Sequence, residues 1–373
     1  MNESKATRYQ RLRRRAQLIS AATGAALLLL VALTPGALWL ARVATHQSLV
    51  WPASVQSAMA LSLFVGALVL AAEAVALPAS LYAATRGGRR TAQAGVDLRS
   101  VMASQARDAV VGAVVVIGVA AVLRFAMWTA GGWWWAVASA IFAGATLVAM
   151  RLVGTGLTAS GQTAALTRPA LSEALAALAA RIGGGSIEVR EWTSPDVDGA
   201  RAVVTGAGGR GHVLLSRDMV RDWADDEIVV VVAHELSHHV HHDLARTVAL
   251  DAVLWCVALW CADRVVVNWG GLVGLQSVLD LAALPLLALA AGAVWGVARP
   301  LRLAQSRAHE RRADRFALEH TGNADAFGRA LRRLGEQHLA EERPSRWTRW
   351  LFHRHPPLDE RLALGRNFSA RRQ

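Results

Sequence analysis

The sequence predicts a mainly α-helical, polytopic membrane protein of about six transmembrane helices joined to a small α+β part. Three observations predict it. More than half of the 373 residues are hydrophobic (54%), and they gather in long blocks. The charged residues, 18% of the chain, collect between and after those blocks. Residues 156–246 have the mixed character of a water-soluble fold, with one helical and several strand-like stretches. A soluble chain of this length would divide into about two or three domains of interspersed composition; long apolar blocks favour a membrane protein instead.

The blocks follow in order. After a basic start with Arg8, Arg11, Arg13, Arg14 and Arg15, an uncharged block covers 16–41. It is too long for the apolar core of a cleaved signal peptide, and more blocks follow. The second covers about 55–84, interrupted by Glu73 and Pro78. The third begins at Ala109, meets Arg124, and must continue to about Trp128 to be long enough. Arg124 is therefore expected to snorkel or to face the bundle interior. The fourth covers about 132–150 and opens on Trp133, Trp134 and Trp135. Two more, about 247–267 and 276–298, lie near Asp251 and Asp280. Carboxylates there, like Glu73, are either functional or placed near span ends.

Charge sets an expected topology. Arg86, Arg89, Arg90, Arg99 and Arg107 fill one connection, whereas those around Trp51, Gly131 and Asn268 carry little basic charge. This alternation predicts six spans with both termini in the cytoplasm. The net charge of +12 is then read as arginines flanking spans and facing anionic lipid, so no nucleic-acid partner is expected. Trp51, Trp128 and Trp133 suit an interfacial belt or core packing. Cys256 and Cys261 lie five apart in one apolar block and predict neither a disulfide framework nor a metal knuckle.

Between the fourth and fifth blocks, residues 168–182 place Leu171, Leu175, Leu178 and Ile182 at helical spacing, stopped by Gly183 to Gly185. Residues 187–192, 200–205 and 212–215 alternate as strands, the last two joined as a hairpin through glycine-rich 206–211. An exposed edge of such a sheet is able to hold an extended peptide by backbone hydrogen bonds, or the sheet is merely structural.

The chemistry sits just beyond. Residues 229–243 contain His234-Glu235-Leu236-Ser237-His238, an H-E-x-x-H pattern. On a helix the two histidines lie one turn apart and share a face, so two neutral imidazoles can grip one zinc ion. Glu235 is then placed to take a proton from water. A third ligand must come from elsewhere. Residues 306–317 read S-R-A-H-E-R-R-A-D-R-F-A, with Glu310 as candidate, His309 as rival, and Asp314 one turn on as a hydrogen-bond partner for a ligating imidazole. A charged, solvated helix face is the plainer alternative. Residues 354–361 add Arg354-His355-Pro356-Pro357 and Arg361 before a basic tail.

Taken together these motifs resemble the type I CAAX prenyl endopeptidases, integral membrane zinc metallopeptidases whose wider family includes the heat-shock protease HtpX. H-E-L-S-H is similar to the family's H-E-L-G-H; Ser306 to Asp314 is similar to S-R-x-x-E-x-x-A-D; His355-Pro356-Pro357 with Arg361 is similar to H-P-P-x-x-x-R. A pair of apolar blocks separates the first two, as in the family. Residues 201–208 resemble its N-A-x-v-x-G-x-G segment, with Arg201 in place of asparagine. Leu77-Pro78, Tyr82, Gly95 and Asp108 follow its upstream pattern loosely.

The resemblance implies a gluzincin-type α+β catalytic domain, and the charge alternation puts it on the cytoplasmic side of the cell membrane. It implies one zinc held by His234, His238 and Glu310, with Asp314 as an orienting partner. Glu235 becomes general base, His355 and Arg361 line the catalytic site, and Arg201, Ala202, Val203 and Val204 form a substrate-binding strand. Expected partners are the lipid bilayer and membrane-associated protein or peptide substrates. The expected organisation is a four-span region over 1–155, a catalytic part over 156–246, a two-span hairpin over 247–298 and a second catalytic part over 299–373. The function implied is metalloendopeptidase, with an HtpX-like quality-control protease and an inactive zinc-binding scaffold as the alternatives.

Overall fold

In the computed structural model the described residues are 5–88, 98–159, 163–182, 186–193, 199–207, 210–337 and 344–371. Gly95, Gly183 to Gly185 and Gly208 lie outside them. The chain forms two compact units, one from residues 1–142 with 252–298, the other from 143–251 with 299–373.

The first unit is a bundle of long helices: α1 (Lys5–Leu33), α2 (Gly36–Ser48), α3 (Gln56–Gly88), α4 (Leu98–Ala130), the start of α5 (Trp134–Ala159), most of α9 (Asp243–Trp269) and the apolar start of α10 (Leu284–Thr321). With almost no charge available, helices satisfy every backbone group internally, as hydrocarbon requires. The block expected at 16–41 is divided into α1 and α2. Proline lacks an amide proton and biases its predecessor away from helix, so Thr34-Pro35 breaks the run.

Among the described residues, five continuous runs are long and apolar enough to cross a membrane: Gln10–Leu33, Gln56–Pro78, Met102–Ala149, Asp243–Val273 and Leu281–Thr321. The third holds 48 residues, far beyond the ~20 one crossing needs. A 3-10 turn at Gly131–Trp133, entered through Gly131 at φ 50°, divides it into α4 and α5. The expected count of six rests on taking this run as two crossings.

Small residues let the helices approach closely. Ala126, Ala138, Ala258, Ala262 and Ala283 are buried in one cluster with Trp134 and Leu259. Leu30, Leu70, Val110 and Val114 point outward, which suits lipid rather than water. Polar side chains among the described residues of this unit make local contacts, one of them buried. Trp134 Nε1 donates to Asp263 Oδ1 at 2.7 Å. Arg124 faces the protein, donating to the Leu279 carbonyl at 2.5 Å. Asp280 Oδ2 accepts the amides of Gln276 and Ser277 at 2.7 and 3.0 Å, so its role is to close a turn. Cys256 and Cys261 are free thiols.

The second unit is built on a four-stranded sheet of order β1-β2-β4-β3, from β1 (Thr163–Ala165), β2 (Ser186–Trp192), β3 (Ala202–Ala207) and β4 (Arg210–Ser216). β2 and β4 run parallel; the outer pairs are antiparallel. The expected hairpin is β3–β4, with Ala202 opposite Leu215 and Val204 opposite Val213. α6 (Pro169–Arg181) buries Leu171, Leu175 and Leu178 completely, as their spacing predicts. α7 (Arg217–Asp222) and α8 (Asp225–Val240) follow the sheet; α11 (Ala324–Gln337), α12 (Arg346–Phe352) and α13 (Leu358–Ala370) follow α10.

Candidate metal centre

The centre grows from α8. Asp225, Asp226 and Glu227 crowd its first turn, where the helix dipole favours negative charge. Glu227 Oε2 also accepts the Ala224 amide at 3.3 Å. Arg329 of α11 holds Asp226 and Glu227, the latter at 3.1 Å. The run of valines that follows has modest helix propensity. Burial of Ile228, Val230, Val232, Ala233 and Leu236 outweighs that preference. The helix ends at Val240, and the chain reverses at His242, whose φ of 53° is left-handed and uncommon for a side chain of this size. The reversal starts α9 at Asp243 and carries that carboxylate back to His238.

α10 supplies the other wall. Arg307, Glu310 and Asp314 occupy successive turns and are all buried, with Ala313 and Ala317 packed fully beneath them. His234 Nε2 lies 3.5 Å from Glu310 Oε2, and His238 Nε2 lies 3.7 Å from Glu310 Oε1. One ligand atom from each of the three residues falls within 4.8 Å of the others. Tetrahedral zinc with bonds of about 2.1 Å separates its ligand atoms by about 3.4 Å, so the set needs only slight contraction.

Both imidazoles are held from behind. His234 Nδ1 is 3.0 Å from Asp314 Oδ1, somewhat out of line for a straight hydrogen bond. Asp314 in turn accepts two bonds from Arg361, at 2.8 and 2.5 Å. His238 Nδ1 is 2.9 Å from Asp243 Oδ2, and Arg312 pairs with the other oxygen of Asp243. A proton placed on each Nδ1 by its carboxylate leaves both Nε2 lone pairs turned toward Glu310, the tautomer a metal needs. Burial disfavours a charge on His234, yet Asp314 and Glu310 overcome it and raise its pKa to about 10. A field that retains a proton so firmly also suits a divalent cation. By donor chemistry, spacing and charge, these residues fit zinc.

Each residue singled out from sequence now has a place. His309, the rival ligand, stands outside the triad with Nε2 3.8 Å from Asp243 Oδ1. Glu235 is half-buried on the same turn of α8 and takes no hydrogen-bond partner among the described residues. His355 is mostly exposed, and its Nδ1 lies 2.8 Å from Glu310 Oε2. Arg361 has its guanidinium committed to Asp314, which makes it a support for the His234 ligand rather than an open contact. β3 is an edge strand of the sheet and packs beside α8. Arg201 exposes its side chain while its backbone bonds inward, the amide to Ser216 Oγ at 2.9 Å and the carbonyl to the Ser216 amide at 2.8 Å. Ala202, Val203 and Val204 are half-buried.

Sequence reasoning missed Asp243 and Arg312. Asp243 lies five residues past His238, beyond one helical turn, and only the reversal at His242 returns it. Asp251 also gains a role: it accepts two bonds from Arg302 at 2.6 and 2.8 Å, which ties α9 to α10 beside the centre.

A bundle of apolar helices joined to an α+β unit with a His-x-x-x-His and glutamate centre defines a class, the membrane-spanning metallopeptidase fold. The chain belongs to peptidase family M48, whose family model matches residues 165–366. A second model, described as CAAX prenyl protease N-terminal, five membrane helices, matches residues 2–156. That description counts five helices where four apolar blocks are read from the sequence; the break at Pro35 accounts for the fifth.

The chain is 28% identical over 173 residues to the uncharacterized metalloprotease YhfN of Bacillus subtilis, covering 45% of this chain and 41% of that one. It is 27% identical over 206 residues to a protease HtpX homolog of Bacteroides fragilis, covering 46% and 61%. The chain thus spans about half the length of the curated relatives it matches. Among solved structures, the crystal structure of S. mikatae Ste24p superposes with a TM-score of 0.72 over 96% of this chain and 87% of that one, at 17% identity, which shows a common fold.

Proposed function

We propose that this protein is a membrane-embedded zinc metalloendopeptidase that hydrolyses peptide bonds of membrane-associated proteins or peptides. The observation that carries the reading is the triad itself: two imidazoles with Nε2 turned inward, each backed by a carboxylate, and a buried glutamate facing both. A bare scaffold site does not need an uncommitted acid beside the ligands, and Glu235 is one. The names of the metalloprotease and protease relatives point the same way.

His234, His238 and Glu310 would hold one zinc ion, which supplies Lewis acidity by acidifying water and polarising a carbonyl. Asp314 and Asp243 keep each Nδ1 protonated and each ring in place. An extended peptide would add to β3, whose outer edge lies beside α8, and Ala202 to Val204 would bond to its backbone. Glu235 takes the proton as water attacks the scissile carbon, then delivers it to the leaving amine. His355, next to Glu310 and open to solvent, would donate to the carbonyl oxygen as it gains charge. We place the catalytic unit on the cytoplasmic side, because the arginine-rich connections lie on its side of the predicted topology. An HtpX-like role in quality control differs only in substrate and remains the second reading, favoured by the match to an HtpX homolog.

The experiment is Glu235→Gln, measured for zinc and turnover on one preparation. Zinc should stay while cleavage falls about a hundred- to ten-thousand-fold. Retained zinc with unchanged cleavage overturns the mechanism. Sidedness is tested by single cysteines at Val50, Ala94 and Asn268 in sealed vesicles. Val50 is 82% exposed. A reagent confined to the outside should reach Val50 and Asn268 and spare Ala94; the reverse pattern puts the catalytic unit outside.

A further inference from the structure

The short helix α12 has no part in the chemistry above, yet it presents an unusual surface. Its sequence is Arg-Trp-Thr-Arg-Trp-Leu-Phe, capped by Ser345 Oγ, which accepts the Thr348 amide at 3.2 Å. Trp347 and Trp350 are three residues apart and so share a face. Their rings meet edge-on with centroids 5.9 Å apart, and they are 71% and 47% exposed. Arg346 and Arg354 flank them in solvent.

The level at which α12 sits is fixed by α10. Arg299 is the first residue after the last apolar block, 276–298. Its Nε donates to the Leu351 carbonyl at 2.8 Å, and its guanidinium lies 5.6 Å from the Phe352 ring centre. Arg307 adds bonds to the carbonyls of Arg349 and His353 at 3.1 and 2.8 Å. The C-terminal end of α12 is thereby fastened at the boundary of the span. Glu310 lies eleven residues beyond Arg299, about 16 Å away at helical rise, and three beyond Arg307, so α12 is fastened along the stretch of α10 between the apolar block and the metal triad.

We infer that α12 is an interfacial anchor. Trp347 and Trp350 rest at headgroup level of the bilayer, and Arg346 and Arg354 contact anionic lipid phosphates. Indole rings, apolar but with one donor, partition to this depth, and exposed arginines are drawn to a negative surface. Four tethering contacts to α10 make the helix a strut.

The test places a nitroxide at Trp347→Cys or Trp350→Cys, in full-length protein with Cys256→Ser and Cys261→Ser, reconstituted in phosphatidylcholine vesicles with or without phosphatidylglycerol. Collision rates with oxygen, which concentrates in lipid, and with a water-soluble nickel chelate are compared. Val114, on the outward face of α4, serves as the lipid reference and exposed Glu173 as the water reference. The oxygen-to-nickel ratio at both α12 positions should fall between the references and rise with phosphatidylglycerol. Arg346→Ser with Arg354→Ser should remove that rise. A ratio equal to that at Glu173 in both lipids overturns the inference. So does spin–spin broadening between molecules, which makes the face a contact between two copies. A ratio that moves only when an extended peptide is added likewise overturns it and makes the face part of the substrate path. None of these readings depends on turnover or bound zinc.

Discussion

The two units bury polar groups in opposite ways. In the helical bundle the contacts stay local: Trp134 and neighbouring Arg264 both bond to buried Asp263, while at its surface Arg124 bonds to one carbonyl and Asp280 closes a turn. In the α+β unit they are chained. Arg361, Asp314, His234, Glu310, His238, Asp243 and Arg312 follow one another in a continuous line. A local buried contact fixes how helices pack. A chain whose members each orient the next fixes a site, at the cost of desolvating several charges. Damage to the first unit should therefore cost stability and spare the metal, while damage to the second should cost the metal first.

The sharpest way to break that contrast is Asp314→Ala. It strands Arg361, whose side chain is only 15% exposed, and removes the support of His234. We expect destabilisation of about 3–5 kcal/mol from the unpaired charge together with weaker zinc binding. Adding Arg361→Met should restore much of the stability, read by thermal unfolding in detergent, without restoring zinc affinity. Recovery of both would make the pair purely structural. Next in size is Asp243→Asn, which keeps the shape beside His238 and weakens the proton acceptor. Zinc affinity should fall about tenfold, the low end of what such orienting partners contribute, because His238 is more exposed than His234. A competition titration with a chelator reads it. The smallest effect belongs to the bundle. Trp134→Phe leaves Asp263 without its indole donor and should lower thermal stability by about 1–3 kcal/mol with zinc content unchanged. Loss of zinc in that variant would mean the bundle shapes the site directly.

The same contrast explains what the sequence could reveal. The bundle was legible as composition, since long uncharged blocks have few alternatives in any solvent. Its exact helix count was not, because the breaks at Pro35 and Gly131 interrupt apolar runs without interrupting their hydropathy. In the α+β unit, Leu171, Leu175 and Leu178 announced α6 by period, and His234, Glu235 and His238 announced themselves by spacing within one helix. Glu310 was ambiguous with His309, since two neighbours on a helix differ only in which way they face, and the neighbouring helix decides that. Asp243 was invisible because its contact depends on one left-handed residue. The parallel pairing of β2 with β4 was equally hidden, as it joins strands that a hairpin separates in sequence.

The central claim is that His234, His238 and Glu310 form one zinc site. The most direct measurement is metal analysis of the purified protein beside Glu310→Ala and His309→Ala. The account predicts one zinc per chain in the parent, near-complete loss in Glu310→Ala, and retention in His309→Ala, whose imidazole stands outside the triad. Zinc retained in Glu310→Ala and lost in His309→Ala would contradict it.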